Sequence, residues 1–151
     1  MNGPVIEYNR LDNPLLYAGV LAKRVVAYAL DLIAIGALTL VAWGMLLILG
    51  IFTLGALFPL IPLAGVVIAL AYHGLTIGGP RSATPGMRIL GVRVRTIDDQ
   101  PPTLLQALLQ TLLFYATLAG LTPAILLIAL FNARGRTLHE ILSGTVTLRT
   151  E

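Results

Sequence analysis

The chain has 151 residues, of which 57% are hydrophobic and only 11% are charged. Soluble domains carry about 25% charged residues, so this composition excludes an ordinary water-soluble globule and indicates an integral membrane protein. Cysteine is absent, which excludes disulfides and thiolate chemistry. The net charge of +3 comes from basic residues beside apolar stretches, and we expect no nucleic-acid partner.

Three stretches carry almost no charge, over residues 25–52, 54–79 and 104–131. A bilayer core of roughly 30 Å needs about 20 apolar helical residues, and uninterrupted runs do not fit the alternation of a β-barrel. The sequence therefore predicts an all-α integral membrane fold. It has two full transmembrane helices, a C-terminal kinked or hairpin helical segment, and a small cytosolic two-stranded β element.

We expect a cytosolic or interfacial leader over residues 1–19 and a single transmembrane domain over residues 20–151. The predicted parts of this domain are a helix over about 22–50, a helix over about 58–78, a cytosolic loop over about 79–102, one or two helical segments over about 103–131, and a cytosolic tail over about 132–151.

Basic residues set the predicted orientation. Lys23 and Arg24 lie at the start of the first helix, and no charge occurs between Asp31 and Arg81. The loop after the second helix is basic and contains Arg81, Arg88, Arg93 and Arg95. By the positive-inside rule, the leader and this loop both face the cytosol, so the first two helices form an in–out–in hairpin.

The course of residues 104–131 stays open between two alternatives. A single bent crossing would place Arg134, Arg136 and Arg149 outside, against the charge rule. A turn at Gly120 and Pro123 would instead bring the chain back to the cytosol. The second alternative agrees with two alternating segments, residues 89–95 and 144–150, because a lone strand is unstable and these two can pair. We therefore expect a cytosolic C-terminus.

Two capping boxes indicate where helices begin. Thr103 and Gln106 form one at the start of the third apolar stretch, and Thr137 and Glu140 form another before a short helix that Gly144 ends.

Asp31 is the most unusual residue of the first helix, because an ionisable group within a membrane costs roughly 2.5–3.5 kcal/mol. Arg24 lies seven residues earlier on the same helix face, with Tyr28 between them. We expect Asp31 to accept hydrogen bonds from Arg24, from Tyr28, which can bridge the two, or from a neighbouring helix. Glu140 would join them if the strand pair brings the tail close. The group is either a structural clamp or an ion or proton site.

Other polar residues do not form a recognisable catalytic group. His139 and Glu140 are a poor metal pair, and His73 is expected to pack near the cytosolic end of the second helix. Gln106, Gln110 and Thr117 share one face of the third helix, where they would hydrogen-bond inside the bundle or line a wet cavity. We predict no enzyme activity, no cofactor and no metal.

Three motifs in order resemble the RDD family: "AKRVVAYALDLI", "TPGMRILGVRV" and "GRTLHEILSGTVTL". In this resemblance Arg24 and Asp31 match the arginine and aspartate of the first helix. The loop motif is matched by Thr84, Pro85, Gly86, Arg88 and Gly91, and the closing strand by Thr145 and Val146. Met87 stands where the family usually has lysine, and Glu140 where it has an aspartate.

The resemblance implies a multi-pass protein of the bacterial inner membrane, and the charge rule predicts that its N-terminus and C-terminus lie in the cytosol. It implies transport of ions or small ligands, with cation/proton exchange proposed for some members, or the role of an accessory or assembly subunit of a larger complex. The expected partners are the lipid bilayer and either further copies of the chain or a larger membrane complex.

Overall fold

The computed structural model describes residues 10–130 and 136–150, without the side chains of residues 118–130. It is mostly helical, with one small sheet. Its elements in chain order are α1 Val20–Phe52, α2 Ile61–Ile77, α3 Pro85–Ile89, β1 Val92–Thr96, α4 Leu104–Leu130, α5 Leu138–Ser143 and β2 Thr145–Arg149. Residues 1–9 of the predicted leader and residues 131–135 of the predicted third segment and tail lie outside the described residues.

The helices α1 and α2 form the predicted hairpin. The helical stretches that contain them, Pro14–Phe52 and Phe58–Ile77, are long and apolar enough to cross a bilayer. In the most apolar part of Pro14–Phe52, only 6% of the residues are buried. The side chains there face outward, as lipid contact requires. The tip of the hairpin closes where the Phe58 ring occupies the space beside Gly50. Two turns of α1 away from Gly50, the Trp43 indole donates a hydrogen bond of 2.9 Å to the carbonyl oxygen of Ile61.

Asp31 lies far from this tip. At about 1.5 Å per residue, the helix from Asp31 to Phe52 is about 31 Å long, which matches the thickness of a whole hydrocarbon core. The sequence alone suggested a carboxylate in the middle of an apolar run. The structure places it instead at the opposite end of the hairpin, called the inner end below.

The antiparallel pair of β1 and β2 confirms the predicted strand pairing, with a register from Val92↔Arg149 to Thr96↔Thr145. The other edge of β1 is covered by the turn after α2, where the Val94 amide donates to the carbonyl oxygen of Ser82 at 2.8 Å. The leader packs on β2, because Leu11 and Leu16 form a buried cluster with Val146 and Leu148. The described leader, the sheet and Asp31 therefore share the inner end.

The helix α4 differs from the predicted turn. The structure has one helix over Leu104–Leu130, so the backbone does not break at Gly120 and Pro123. Such residues are tolerated inside apolar helices when neighbouring groups satisfy the freed backbone. The C-terminal strand nevertheless lies at the inner end, because it pairs with β1. The predicted strand pairing therefore does not require a turn at Gly120 and Pro123. Both predicted capping boxes are confirmed, at Thr103 and at Thr137.

Candidate functional site

Asp31 is 2% exposed, and three donors from two other parts of the chain surround its carboxylate. Oδ1 accepts hydrogen bonds from the Tyr72 hydroxyl at 2.7 Å and from the Gly86 amide at 2.8 Å. Oδ2 accepts one from the Thr84 hydroxyl at 2.5 Å. Hydrogen bonds to an ionised acceptor are about twice as strong as neutral ones, so this carboxylate joins α1 to α2 and to the start of α3.

The segment from Thr84 to Gly86 is shaped for this contact. Thr84 caps α3, since its hydroxyl oxygen also accepts from the Met87 amide at 3.1 Å, and Pro85 suits the first helical position. A side chain at Gly86 would collide with the backbone carbonyl of Ala27 and approach Asp31. Glycine is therefore required where α3 meets α1. The sequence did not predict α3, because five residues are too few to show a helical period.

Arg24 does not pair with Asp31, so that part of the sequence-based interpretation is wrong. Its guanidinium donates at 2.8 Å to Glu140 Oε1 and at 3.3 Å to the carbonyl oxygen of Thr147. The predicted bridge through Tyr28 is also wrong, because the Tyr28 ring packs edge-on against Phe114 at 5.2 Å between centroids. The folded tail outcompetes Asp31, because it brings a buried carboxylate within reach of the long arginine side chain.

Glu140 is 1% exposed and accepts four hydrogen bonds. Besides Arg24, Oε1 accepts from the Thr147 hydroxyl at 2.6 Å, and Oε2 accepts from the Thr137 amide and hydroxyl at 3.0 and 3.1 Å. Burial alone would raise the pKa of Glu140, but the charge of Arg24 and these hydrogen bonds outweigh burial, so its pKa lies below the usual value. Glu140 therefore stays ionised and ties the tail to α1.

The four predicted site residues do line one cavity, although they form two separate clusters. Arg24, Tyr28, Asp31 and Glu140 contribute to the wall of a cavity of about 280 Å³ at the inner end. The walls come from α1, α2, α3, α4, α5 and β2, and most of the lining is apolar. This volume lies near the lower end of the usual range for small-molecule sites.

Two hydrogen-bond acceptors of this wall are buried without a donor in the described part of the chain, Gln110 Oε1 and His139 Nδ1. The His139 Nε2 lies 2.9 Å from the Thr137 hydroxyl oxygen, which itself donates to Glu140. We therefore assign the His139 proton to Nε2, which leaves Nδ1 as an acceptor. Burial lowers the pKa of His139, although the nearby Glu140 charge opposes this effect, so the ring is neutral.

The other predicted polar residues have local partners. Gln106 accepts from the Thr103 amide, and the Thr117 hydroxyl donates back to the Leu113 carbonyl oxygen, so of the three only Gln110 lines the cavity. His73 packs as expected near the inner end of α2, with Nδ1 3.1 Å from the Ala69 carbonyl oxygen. No group of three metal-ligating side chains occurs among the residues that the structure describes.

The rest of the loop motif shapes the turn between α3 and β1. Arg88 donates through Nε to the carbonyl oxygen of Ala83 at 2.9 Å. Gly91 has a φ of +64°, a left-handed conformation that glycine adopts without strain. The motif therefore connects the Asp31 contact to the start of β1.

Comparison with known proteins gives one result. No curated protein and no solved structure gives a significant match to the chain. The family model of the RDD family matches residues 18–144, a range that includes α1, α2, α3, β1, α4 and α5 and with them both buried carboxylates, Asp31 and Glu140. The resemblance seen in the three sequence motifs is thereby confirmed, and the chain belongs to the RDD family.

Proposed function

We propose that this chain is a non-catalytic protein of the cell membrane that binds a small organic cation in the cavity at its inner end. The inner end faces the cytosol, because the basic loop lies there. If the hairpin tip reaches the outer surface, the cavity lies at the inner boundary of the hydrocarbon core, since Asp31 is about 31 Å from the tip.

The two buried carboxylates serve as structural clamps in this proposal. Every oxygen of Asp31 and Glu140 already holds at least one protein donor. A carboxylate has about four acceptor sites; Glu140 uses four of them and Asp31 three. A metal ion bound through several of these sites would displace donors, and each buried donor left unpaired costs about 1–3 kcal/mol. This nearly complete set of protein partners favours a structural role over cation exchange at Asp31.

The single observation that carries the proposal is the pair of unpaired acceptors in the cavity wall, Gln110 Oε1 and His139 Nδ1. A ligand that donates hydrogen bonds would satisfy both. Asp31 has no cation within ion-pairing distance among the described residues, so with neutral histidines the wall keeps one excess negative charge. The rings of Tyr28 and Phe114 line the same cavity, and aromatic faces attract cations. An alkylammonium ion of a few carbons combines these properties.

The test uses the full-length protein in phosphatidylcholine nanodiscs, titrated with n-butylammonium while its thermal unfolding is followed. Binding to the folded state raises the melting temperature in proportion to RT ln(1 + [L]/Kd). We expect stabilisation by n-butylammonium and a weaker effect of n-butanol, which has the same apolar chain without the charge. Gln110→Leu should abolish most of the difference between the stabilisation by n-butylammonium and that by n-butanol.

Gln106→Leu is the matched control, because Gln106 lies on the same helix but caps its N-terminus outside the cavity. Equal responses to the amine and the alcohol would contradict a cation site. An unchanged response in Gln110→Leu would also contradict it. Ordered water would then be the partner of the unpaired acceptors in the cavity, as it is for buried polar groups in many proteins.

Ion exchange is tested separately in liposomes that contain the purified protein and a pH-sensitive dye. We expect no cation-dependent proton flux that disappears specifically in Asp31→Asn. A flux that this variant abolishes, while its fold and thermal stability are retained, would instead assign exchange to Asp31.

A second candidate function, an accessory or assembly subunit, is favoured by one observation on α1. Side chains added at Gly36 or Gly44 would meet nothing within 4 Å in the described part of the chain, whereas Gly50 and Gly65 pack against other residues of this hairpin. Small residues let helices approach closely in membranes, so this face suits another helix. Gly44→Leu should weaken a complex purified in mild detergent, and a complex that is unchanged in this variant would count against the candidate.

A further inference from the structure

We propose that the chain has a second binding site, for the phosphate group of an anionic lipid, in an arginine-lined pocket beside β1. This site is separate from the cavity between the helices. It would hold a lipid at the inner end, and it depends only on the part of the proposed function that places this end at the membrane surface.

The pocket has a volume of about 350 Å³ and lies between β1 and the turn that follows α2. The turn is fixed along β1 by the hydrogen bond from the Val94 amide to Ser82. Its lining includes Arg81, Arg88, Arg93, Arg95 and Thr150. Four different parts of the backbone thus bring four guanidinium side chains and a hydroxyl to one concave surface.

Three of these four arginines have no acidic partner among the described residues. In the described part of the chain, no carboxylate lies within ion-pairing distance of Arg81, Arg88 or Arg95. The Nε of Arg95 is buried and has no hydrogen-bond partner there. Guanidinium groups bind phosphate through paired N–H donors, so a phosphate group would supply the missing acceptors.

The surroundings identify the source of the phosphate as a lipid. Ile89 is 72% exposed and adjoins Arg88, and Leu75 is 64% exposed on the last turns of α2. These apolar side chains suit contact with acyl chains, and Arg81 follows the end of α2 at Ile77 by only four residues. Basic pockets at the cytosolic side of membrane helices bind anionic headgroups in this position.

The experiment measures lipid retention by native mass spectrometry, with the protein in detergent and phosphatidylglycerol or phosphatidylcholine added in increasing amounts. We expect a clear preference of the wild type for phosphatidylglycerol. A basic residue near an anionic surface contributes about fivefold in affinity, so Arg81→Gln/Arg95→Gln should weaken binding of phosphatidylglycerol by more than tenfold.

Arg149→Gln is the matched control, because Arg149 lies in the same sheet and carries the same charge but does not line the pocket. We expect it to bind phosphatidylglycerol as the wild type does. Equal losses in this variant and in the double variant would overturn the site in favour of diffuse attraction. If the double variant unfolds in phosphatidylcholine, the single variant Arg81→Gln, at an exposed position, replaces it. We expect this variant to bind phosphatidylglycerol about fivefold more weakly, and unchanged binding would overturn the proposal.

Inorganic phosphate is the second arm and distinguishes the two sources of the group. Added to the protein at millimolar concentration, it should displace little phosphatidylglycerol. Complete displacement would show that the pocket binds the free anion, which would overturn the assignment to a lipid.

Discussion

The Asp31 cluster and the Glu140 cluster hold buried carboxylates on the wall of the same cavity by different means. Asp31 is held by neutral donors alone, from Tyr72, Thr84 and Gly86. Glu140 is held by the Arg24 guanidinium together with donors from Thr137 and Thr147. The first cluster closes the hairpin onto α3, whereas the second attaches the tail to α1. The difference shows that sharing a helix face, as Arg24 and Asp31 do, is not enough to make two residues partners.

The largest expected effect comes from removing the charged partner. Arg24→Ala leaves the Glu140 carboxylate buried without its cation, which costs about 3–5 kcal/mol of unfolding free energy. Unfolding can be followed in detergent through the fluorescence of Trp43, the only tryptophan of the sequence. Lys23→Ala removes the same charge one residue earlier and should change stability by less than about 0.5 kcal/mol. Similar losses in both variants would contradict a specific role of the Arg24–Glu140 pair.

A double-mutant cycle sharpens the comparison between the clusters. Arg24→Ala and Glu140→Gln share an interaction, so their effects should be non-additive by about 1–3 kcal/mol. Arg24→Ala and Asp31→Asn belong to separate clusters and should add to within about 0.5 kcal/mol. A strong coupling between Arg24 and Asp31 would restore the direct pairing that the helix spacing suggested.

Asp31→Asn should have the next largest effect among single variants. The amide keeps the shape of the side chain but replaces a charged acceptor and turns an NH₂ group toward a donor. Hydrogen bonds to charged groups contribute about 1.5–3 kcal/mol, so we expect a loss of that size. Asp98→Asn, at an exposed position after β1, is the control and should be nearly neutral. An unchanged stability in Asp31→Asn would contradict the role of Asp31 as a structural clamp.

Thr84→Val tests the other side of the same contact and should cost about 1–2 kcal/mol. It deletes both the hydroxyl that donates to Asp31 and the oxygen that caps α3. Thr84→Ser keeps the hydroxyl and should retain most of the stability. If serine were as destabilising as valine, the methyl group rather than the hydrogen bonds would be the important part of the side chain.

The sequence predicted those features that depend on local pattern. The apolar stretches indicated the two hairpin helices, residue alternation indicated β1 and β2, and the spacing of Thr137 and Glu140 indicated the cap of α5. These signals depend on residues within a few positions of one another.

The partners of the carboxylates could not be predicted in this way. Tyr72 and Gly86 lie 41 and 55 residues from Asp31, and Glu140 lies 116 residues from Arg24. Helical spacing shows which residues share a face, but it does not show which distant segment packs there. The three motifs named the right residues of the loop, and only the folded chain shows that the loop closes on Asp31.

The smallest expected effect is the response of the stability to acid, to which the Glu140 cluster contributes. The folded-state pKa of Glu140 lies below its usual value of 4.5, so the unfolded chain binds its proton first. The stability from this residue is therefore present above about pH 4.5 and is lost as the pH falls through the lower folded value. Glu140→Gln should lower stability at neutral pH and flatten the pH dependence below about pH 4.5.

His139 contributes to the same dependence of stability on pH, but over a separate pH range. Burial lowers its pKa from the usual 6.5, so acid again favours the unfolded chain, but the loss begins near pH 6.5. His139→Gln should flatten this upper part of the pH dependence and leave the lower part, which Glu140→Gln flattens instead. If both variants changed the same part of the curve, the two groups would titrate together, and the Glu140 cluster would be one coupled unit.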